Sequence, residues 1–229
     1  MSVSKDNKRP AARTRTGTAS GRTAVNLHVE SRNRTTAALL HAAAAVFARR
    51  GFDGATIGEV ARDAGVAKAT VHYYFETKEN LYTRVLERVL DDWAGAMAAI
   101  DVSRGPRAAL GSYIDWKIEY SRRSPDLTRV WAMELLSGAP RTRSFLQERV
   151  RKAIEQKGDA VRTWIAEGKM VPVDPAHLFF MLWATTQTYA ECEVQIKAVL
   201  GKDRLDDEVF GDARNTVSGV LLRGLGISG

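Results

Sequence analysis

The side chains best placed to do chemistry in this sequence lie between Thr56 and Phe75. Thr56 and Glu59 have the spacing of a capping box, in which the Thr hydroxyl accepts the amide three residues on and the Glu reaches back to the cap. A short helix is predicted from Ile57 to about Ala64. Gly65 punctuates it, since glycine takes a left-handed turn without a steric penalty. A second short helix is predicted over roughly Lys68 to Phe75. Two short helices joined by a tight glycine turn form a helix-turn-helix, and such a unit lays its second helix in the major groove of double-stranded DNA. Lys68, Ala69, Thr70, His72 and Tyr73 are the outward positions on that helix, with Thr56 before the unit and Lys78 after it as flanking candidates. Lys68 and Thr70 can reach phosphates or base edges, and the Ala69 methyl can touch a thymine methyl. His72 either contacts DNA or packs. The bland alternative is a helical hairpin with solvated polar residues. The capping box, the small Ala61, the glycine turn and the aromatic end Tyr73-Tyr74-Phe75 occur together, which argues against it.

A second group of residues could hold a small molecule. Trp183 and Gln187 are four apart and share a helix face. The segment around them is apolar nearly all round, so it must be buried on more than one side. A buried Gln among Phe, Met and Trp needs partners for its amide. Either the protein supplies them or a polar planar ligand does. A pyrimidine ring offers the complementary donor and acceptor edge, and Trp offers a stacking face. Trp93, on a long helix leading away from the helix-turn-helix, joins this set, with Lys117 and Glu134 as further candidates for effector binding.

Other chemistry finds little support. There is no paired acid–base motif, nucleophile elbow or metal-ligand spacing, so an enzyme acting on a small aromatic is a remote alternative. His28, His41, His72 and His177 are scattered and Cys192 stands alone, so neither a metal site nor a cofactor is expected. The run from Gly224 to Gly229 has G-x-G-x-x-G spacing. A dinucleotide site needs a strand before that run and a helix after it. This run follows a helix, and it reads as a flexible tail.

These side chains must be carried by helices. The chain has 229 residues, 45% apolar and 27% charged, the balance of a soluble globular protein with a proper core. The longest apolar runs, such as Leu178–Ala184, reach seven residues, far short of the roughly 20 that span a bilayer. Neither a membrane segment nor a secretory signal is expected, and the single cysteine favours a reducing, cytoplasmic setting. Net charge is +7, but residues 1–50 hold ten Lys/Arg and two Asp/Glu. A basic end on a near-neutral body suits a polyanion, nucleic acid before membrane. Residues 1–31 are poor in large apolar side chains and read as a disordered basic arm. From about Arg32 the periodicity is helical throughout, and the class is all-α. The expected helices include a first one ending near Gly51, a long one opened by Thr77, one amphipathic stretch through Phe145, Val150, Val161 and Ile165, one from Asp174-Pro175 to about Leu200, and a last one from Asp206 to about Arg223.

The stretch from Gly51-Phe52 through Lys78-Glu79-Asn80-Leu81 resembles the TetR family of bacterial one-component regulators. The resemblance implies about nine helices: a DNA-binding head over residues 32–78, then a ligand-binding and dimerisation domain over 79–229 that includes the connecting helix. It also implies a homodimeric repressor on a pseudo-palindromic operator, released by a small effector. Met133–Pro140, Asp174–Gln187 and Asp207–Phe210 carry a narrower likeness to pyrimidine-utilisation regulators, which implies uracil or thymine as effector. Thr188 and Glu191 depart from that pattern. A regulator with a different effector, or none, is the alternative. The last two helices are expected to pair between subunits, with Phe210, Ala213, Val217, Val220 and Leu221 as recurring apolar positions.

Overall fold

The computed structural model describes Met1 and residues 19–227, with side chains from Glu30 onward. Most of the arm expected over residues 1–31 lies outside the described residues. Every regular element among the described residues is a helix: α1 (Ala19–Gly54), α2 (Ile57–Asp63), α3 (Lys68–Phe75), α4 (Lys78–Met97), α5 (Gly105–Arg123), α6 (Pro125–Leu136), α7 (Arg143–Phe145), α8 (Arg151–Ala166), α9 (Pro175–Glu191), α10 (Glu193–Leu200) and α11 (Asp207–Gly224). A 3₁₀ turn at Val102–Arg104 precedes α5, and a π-helical turn at Leu146–Val150 joins α7 to α8.

The described residues up to Ala38 form one compact unit and those from Leu39 onward another. In the first, the Thr35 and Thr36 hydroxyls donate to the carbonyls of Ser31 and Arg32, one turn back. Helix α1 begins at Ala19, well before the expected start near Arg32. Once a helix is nucleated, each added residue gains a hydrogen bond, so it can extend beyond the turns that bury apolar side chains. Gly51, at φ 69°, kinks α1 near its end, where the sequence predicts the stop.

The second unit has two apolar cores. One joins α1, α2 and α3 to the first half of α4 through Leu39, Val46, Phe47, Val60, Val71, Phe75, Leu81 and Val85. It continues along α4 to Trp93, Tyr120 and Trp131. The other packs the end of α4 with α5, α8, α9 and α11 through Ile114, Ile118, Trp164, Phe179 and Leu182. Helix α4 therefore contributes to both cores and couples them mechanically.

Three expected helices differ in detail. The stretch through Phe145 and Ile165 contains the π-helical turn, which repeats at five residues and alters which side chains share a face. The helix expected to reach Leu200 breaks at Cys192. Arg129 of α6 donates to the Ala190 carbonyl at 2.9 Å and pairs with Glu193, which diverts an acceptor from the helical ladder. The glycine-rich end is packed as far as it is described: Leu225 and Ile227 are buried, and the Leu225 carbonyl accepts from the Val171 amide at 2.9 Å; Ser228 and Gly229 lie outside the described residues. Phe210, Ala213, Val217 and Leu221 also differ from expectation. They are buried in the core of a single chain, and of that set Val220 alone is exposed. A face that recurs at helical spacing satisfies α5 within one chain as readily as it would a partner.

Candidate DNA-binding head and effector pocket

The head is built from short helices fixed at their ends. The Thr56 hydroxyl accepts from the Glu59 amide at 3.2 Å, and Glu59 Oε2 accepts from the Thr56 amide at 3.1 Å. The Thr56 hydroxyl bond is the main reason the Glu59 carboxyl is held below its usual pKa. Thr56 thus anchors α2. Arg49 pairs with Asp63 at 2.6 Å and Arg50 with Glu59 at 3.5 Å, tying α1 to α2. Gly65 turns the chain at φ 66°, and the Val66 amide closes back onto the Ala61 carbonyl at 2.9 Å.

Helix α3 buries Val71 and Phe75 and exposes Lys68, Ala69, His72 and Tyr73; Thr70 is half-buried. The exposed side chains form the open face that a groove-reading helix requires. Tyr73 is 75% exposed and makes an edge contact with Tyr74 at 5.4 Å between ring centres. His72 Nδ1 lies 2.9 Å from the Glu76 carbonyl, which can only accept, so Nδ1 carries the proton and Nε2 is left for a partner.

Lys78 corrects an expectation. Its ammonium donates to the carbonyls of Phe52, Asp53 and Ala55 at 2.9, 3.3 and 3.1 Å, and stands 4.5 Å from the Phe52 ring centre. An ammonium has three N–H donors and all are used, so Lys78 locks the end of α1 onto α4 instead of reaching a phosphate.

In the helical body, a cavity of about 290 Å³ opens between α4, α5, α6, the π-helical turn, α8 and α9. Leu90, Trp93 and Met97 line it from α4, Trp131 from α6, and Trp183, Gln187 and Glu191 from α9. Trp93 and Trp131 meet edge to face at 5.4 Å. Trp183 Nε1 donates to the Tyr113 hydroxyl at 2.8 Å, and burial pushes the Tyr113 phenol well above its usual pKa. Trp93 Nε1 is buried without a protein partner. Arg149, on the π-helical turn, lines the cavity and pairs with Asp91 of α4 at 3.2 Å.

Gln187 is 7% exposed and bonded on both sides. Lys117 Nζ donates to its Oε1 at 3.1 Å, and its Nε2 donates to Glu191 Oε1 at 2.9 Å. Lys117 is itself buried, 3.5 Å from the centre of the Trp93 ring. Burial holds its pKa well below the usual lysine value, opposed in part by the Glu191 charge. The structure therefore brings Trp93, Trp183 and Gln187 to one cavity with Lys117 directly behind Gln187.

Glu134 is not part of that arrangement. Its Oε1 accepts the Arg141 amide at 2.7 Å and its Oε2 lies 3.9 Å from the Arg141 guanidinium. Arg141 in turn bonds Glu79 of α4 at 2.7 Å and stacks on Phe52 at 3.8 Å. Glu134 shapes the loop that braces the head against the body. Glu191, Tyr113 and Arg149 bring polar groups to the wall without being among the candidates that the sequence suggests. Glu191 is one helical turn beyond Gln187, so spacing could have found it. Tyr113 and Arg149 come from other helices, and no local pattern marks them.

A helix-turn-helix head joined by a long helix to an all-helical body with a buried pocket defines a one-component transcriptional regulator. Residues 39–85 match the family model of bacterial regulatory proteins, tetR family, and residues 86–228 match that of the YcdC-like protein, C-terminal region. The chain belongs to the TetR family. The HTH-type transcriptional regulator RutR of Escherichia coli strain K12 is 37% identical over 188 residues, covering 82% of this chain and 89% of RutR. The HTH-type transcriptional repressor SCO4008 of Streptomyces coelicolor is 29% identical over 189 residues, covering 80% of this chain and 95% of that protein. Among solved structures, SCO4942 of Streptomyces coelicolor superposes with a TM-score of 0.63 at 25% identity, over 85% of this chain and 99% of that one.

Proposed function

We propose that this TetR-family regulator is a homodimeric repressor that leaves a pseudo-palindromic operator when a small, neutral, planar heterocycle enters the cavity, uracil or thymine first. The observation that carries the reading is Gln187, a buried amide on an aromatic wall with one N–H and one acceptor lone pair still to use. A cavity of about 290 Å³ is at the small end of ligand sites and suits a single ring. The likeness of Asp174–Gln187 to pyrimidine-utilisation regulators supports the same choice.

Lys68, Ala69, Thr70, His72 and Tyr73 read the groove, while Thr56 and Lys78 hold the elements that present them. The ligand acts through α4, which lines the cavity with Leu90, Trp93 and Met97 and starts at the head. It can shift the head only by binding one head position better than another. Residues 1–31 form a basic arm that adds phosphate contacts, residues 32–78 the head and residues 79–229 the body. The protein works in the cytoplasm, without a cofactor.

The test is calorimetric titration of uracil and thymine, with benzene as an apolar control, into wild type and Gln187→Leu, paired with a gel shift on a selected operator. Wild type binds a pyrimidine and releases DNA, whereas Gln187→Leu keeps DNA and ignores the pyrimidine. Equal binding by both proteins, or none by wild type, would remove the pyrimidine assignment.

A further inference from the structure

The Gln187 carboxamide sits between a carboxylate and a lysine, and that ordering has chemical content. Along this wall the groups run Glu191 Oε1, Gln187 Nε2, Gln187 Oε1, Lys117 Nζ. A side-chain amide has two orientations of similar shape that exchange donor and acceptor. Here one is excluded. Turning the amide over would place its oxygen against the Glu191 carboxylate, two acceptors with no proton between them. It would also set the NH₂ group against the Lys117 ammonium. A neutral Lys117 does not alter this, because a free amine still donates to Oε1 while Glu191 still cannot donate to it.

The geometry points to Glu191 and Lys117 as positioning residues that hold the Gln187 amide in one orientation, so that the cavity selects rings with an imide edge over rings with an amino-substituted edge. This rests on the pyrimidine reading above and gives it a chemical rule. The ligand meets one donor, on the Glu191 side, and one acceptor, on the Lys117 side. A ring with the order C=O, N–H, C=O sets its first carbonyl on Nε2 and its N–H on Oε1. Its second carbonyl then lies on the Lys117 flank, where a donor or positive charge favours it, and a C–H lies on the Glu191 flank. An aminopyrimidine such as cytosine sets its ring nitrogen on Nε2 and its amino group on Oε1. Its carbonyl then lies on the Glu191 flank, against a carboxylate; used through its C=O/N1–H edge instead, it sets the bare ring nitrogen there, another acceptor. Discrimination is strong when a polar group must be desolvated against a like partner. With the amide turned over, the same reasoning inverts and cytosine is preferred.

Two measurements test this. Uracil and cytosine are titrated into wild type, Glu191→Gln and Lys117→Met. Wild type is expected to prefer uracil by about a hundred-fold, falling below about ten-fold in Glu191→Gln, where either amide face can meet the new side chain. Lys117→Met should show a smaller fall. Unchanged operator binding without ligand serves as the check on folding. The second measurement needs no ligand: the Gln187 side-chain NH₂ resonances of the free protein, assigned by their loss in Gln187→Leu. One proton should be shifted downfield by its bond to Glu191, and Glu191→Gln should remove that shift. A preserved uracil-to-cytosine ratio together with an unmoved NH₂ pair would overturn the proposal. If wild type binds neither base, the pyrimidine reading fails by itself, and the NH₂ signal alone decides whether the amide is held.

Discussion

Lys117 shows how a buried charge can be tolerated where a site needs it. The side chain is fully enclosed, its Nζ donates to Gln187, and the Trp93 ring covers it. Burial favours the neutral amine, so the folded protein holds this proton less tightly than the unfolded chain does. Between the lowered folded pKa and the ordinary value of 10.5, the unfolded state binds more protons. Stability of the wild type therefore rises with pH across that window through this group, and the cost is fully present below it. Lys117→Met keeps the volume and removes the cost. It is expected to raise the melting temperature at pH 7, because the penalty of enclosing this lysine outweighs the roughly 1–3 kcal/mol lost when Gln187 Oε1 gives up its donor. The gain over wild type should shrink as pH approaches 10. Melting curves of both proteins at pH 7 and pH 10 check this, and a difference independent of pH would mean that Lys117 is charged throughout. The same variant weakens effector discrimination, so stability and selectivity oppose each other at one position.

The short elements of the head separate positioning from recognition. Lys78 ties three carbonyls near the end of α1 to the start of α4, and Thr56 caps α2. Loss of the Thr56 cap in Thr56→Ala should cost roughly 1 kcal/mol. Lys78→Met leaves the partly buried carbonyls of Phe52 and Ala55 without their donor and should cost about 1–3 kcal/mol. Both lower the melting temperature and weaken operator binding together. Lys68→Ala and Tyr73→Ala alter side chains on the open face of α3, so they should weaken operator binding in a gel shift with the melting point unchanged. If Lys68→Ala and Tyr73→Ala bind the operator like wild type, the groove is read by a different face. The contrast also shows what the sequence makes legible. Capping boxes, glycine turns and apolar spacing are local, so α2, α3 with its outward face, and the start of α4 are readable from Thr56 to Lys78 alone. The role of Lys78 is not, since its acceptors lie more than twenty residues earlier. The break at Cys192 is likewise hidden, because Arg129 of α6 takes the Ala190 carbonyl from more than sixty residues away. Trp183 and Gln187 are visible because they share one helix turn. Their neighbours in the wall, Tyr113 and Arg149, meet them only through packing.

At the level of the assembled molecule, charge and apolar surface make separate demands. Residues 1–31 carry six Lys/Arg and two Asp/Glu. Deleting them should flatten the slope of log affinity against log salt by roughly 0.9 for each phosphate that the arm had neutralised, with sequence preference kept. An unchanged slope would make the arm a bystander. The apolar demand concerns subunit pairing. The face of α11 built from Phe210, Ala213, Val217 and Leu221 is spent inside one chain. Exposed on the last three helices are Phe180 and Met181 of α9, Val194, Val199 and Leu200 of α10, and Val220 of α11. Scattered single apolar residues are ordinary on a surface, but a run of them on three successive helices is where a subunit interface is expected. A two-fold interface would place each of them opposite the same surface of a second copy, so one substitution acts twice. Met181→Glu and Val220→Glu each introduce two buried like charges into such a dimer while leaving the single-chain core intact. Both variants are expected to sediment as helical monomers at micromolar concentration, where wild type is expected to sediment as a dimer. Their affinity for a palindrome with half-sites about 34–36 Å apart should fall to that for an isolated half-site, because one head alone then binds. Variants that remain dimeric would move the interface away from α9 and α11, and a monomeric wild type would remove the palindrome with it.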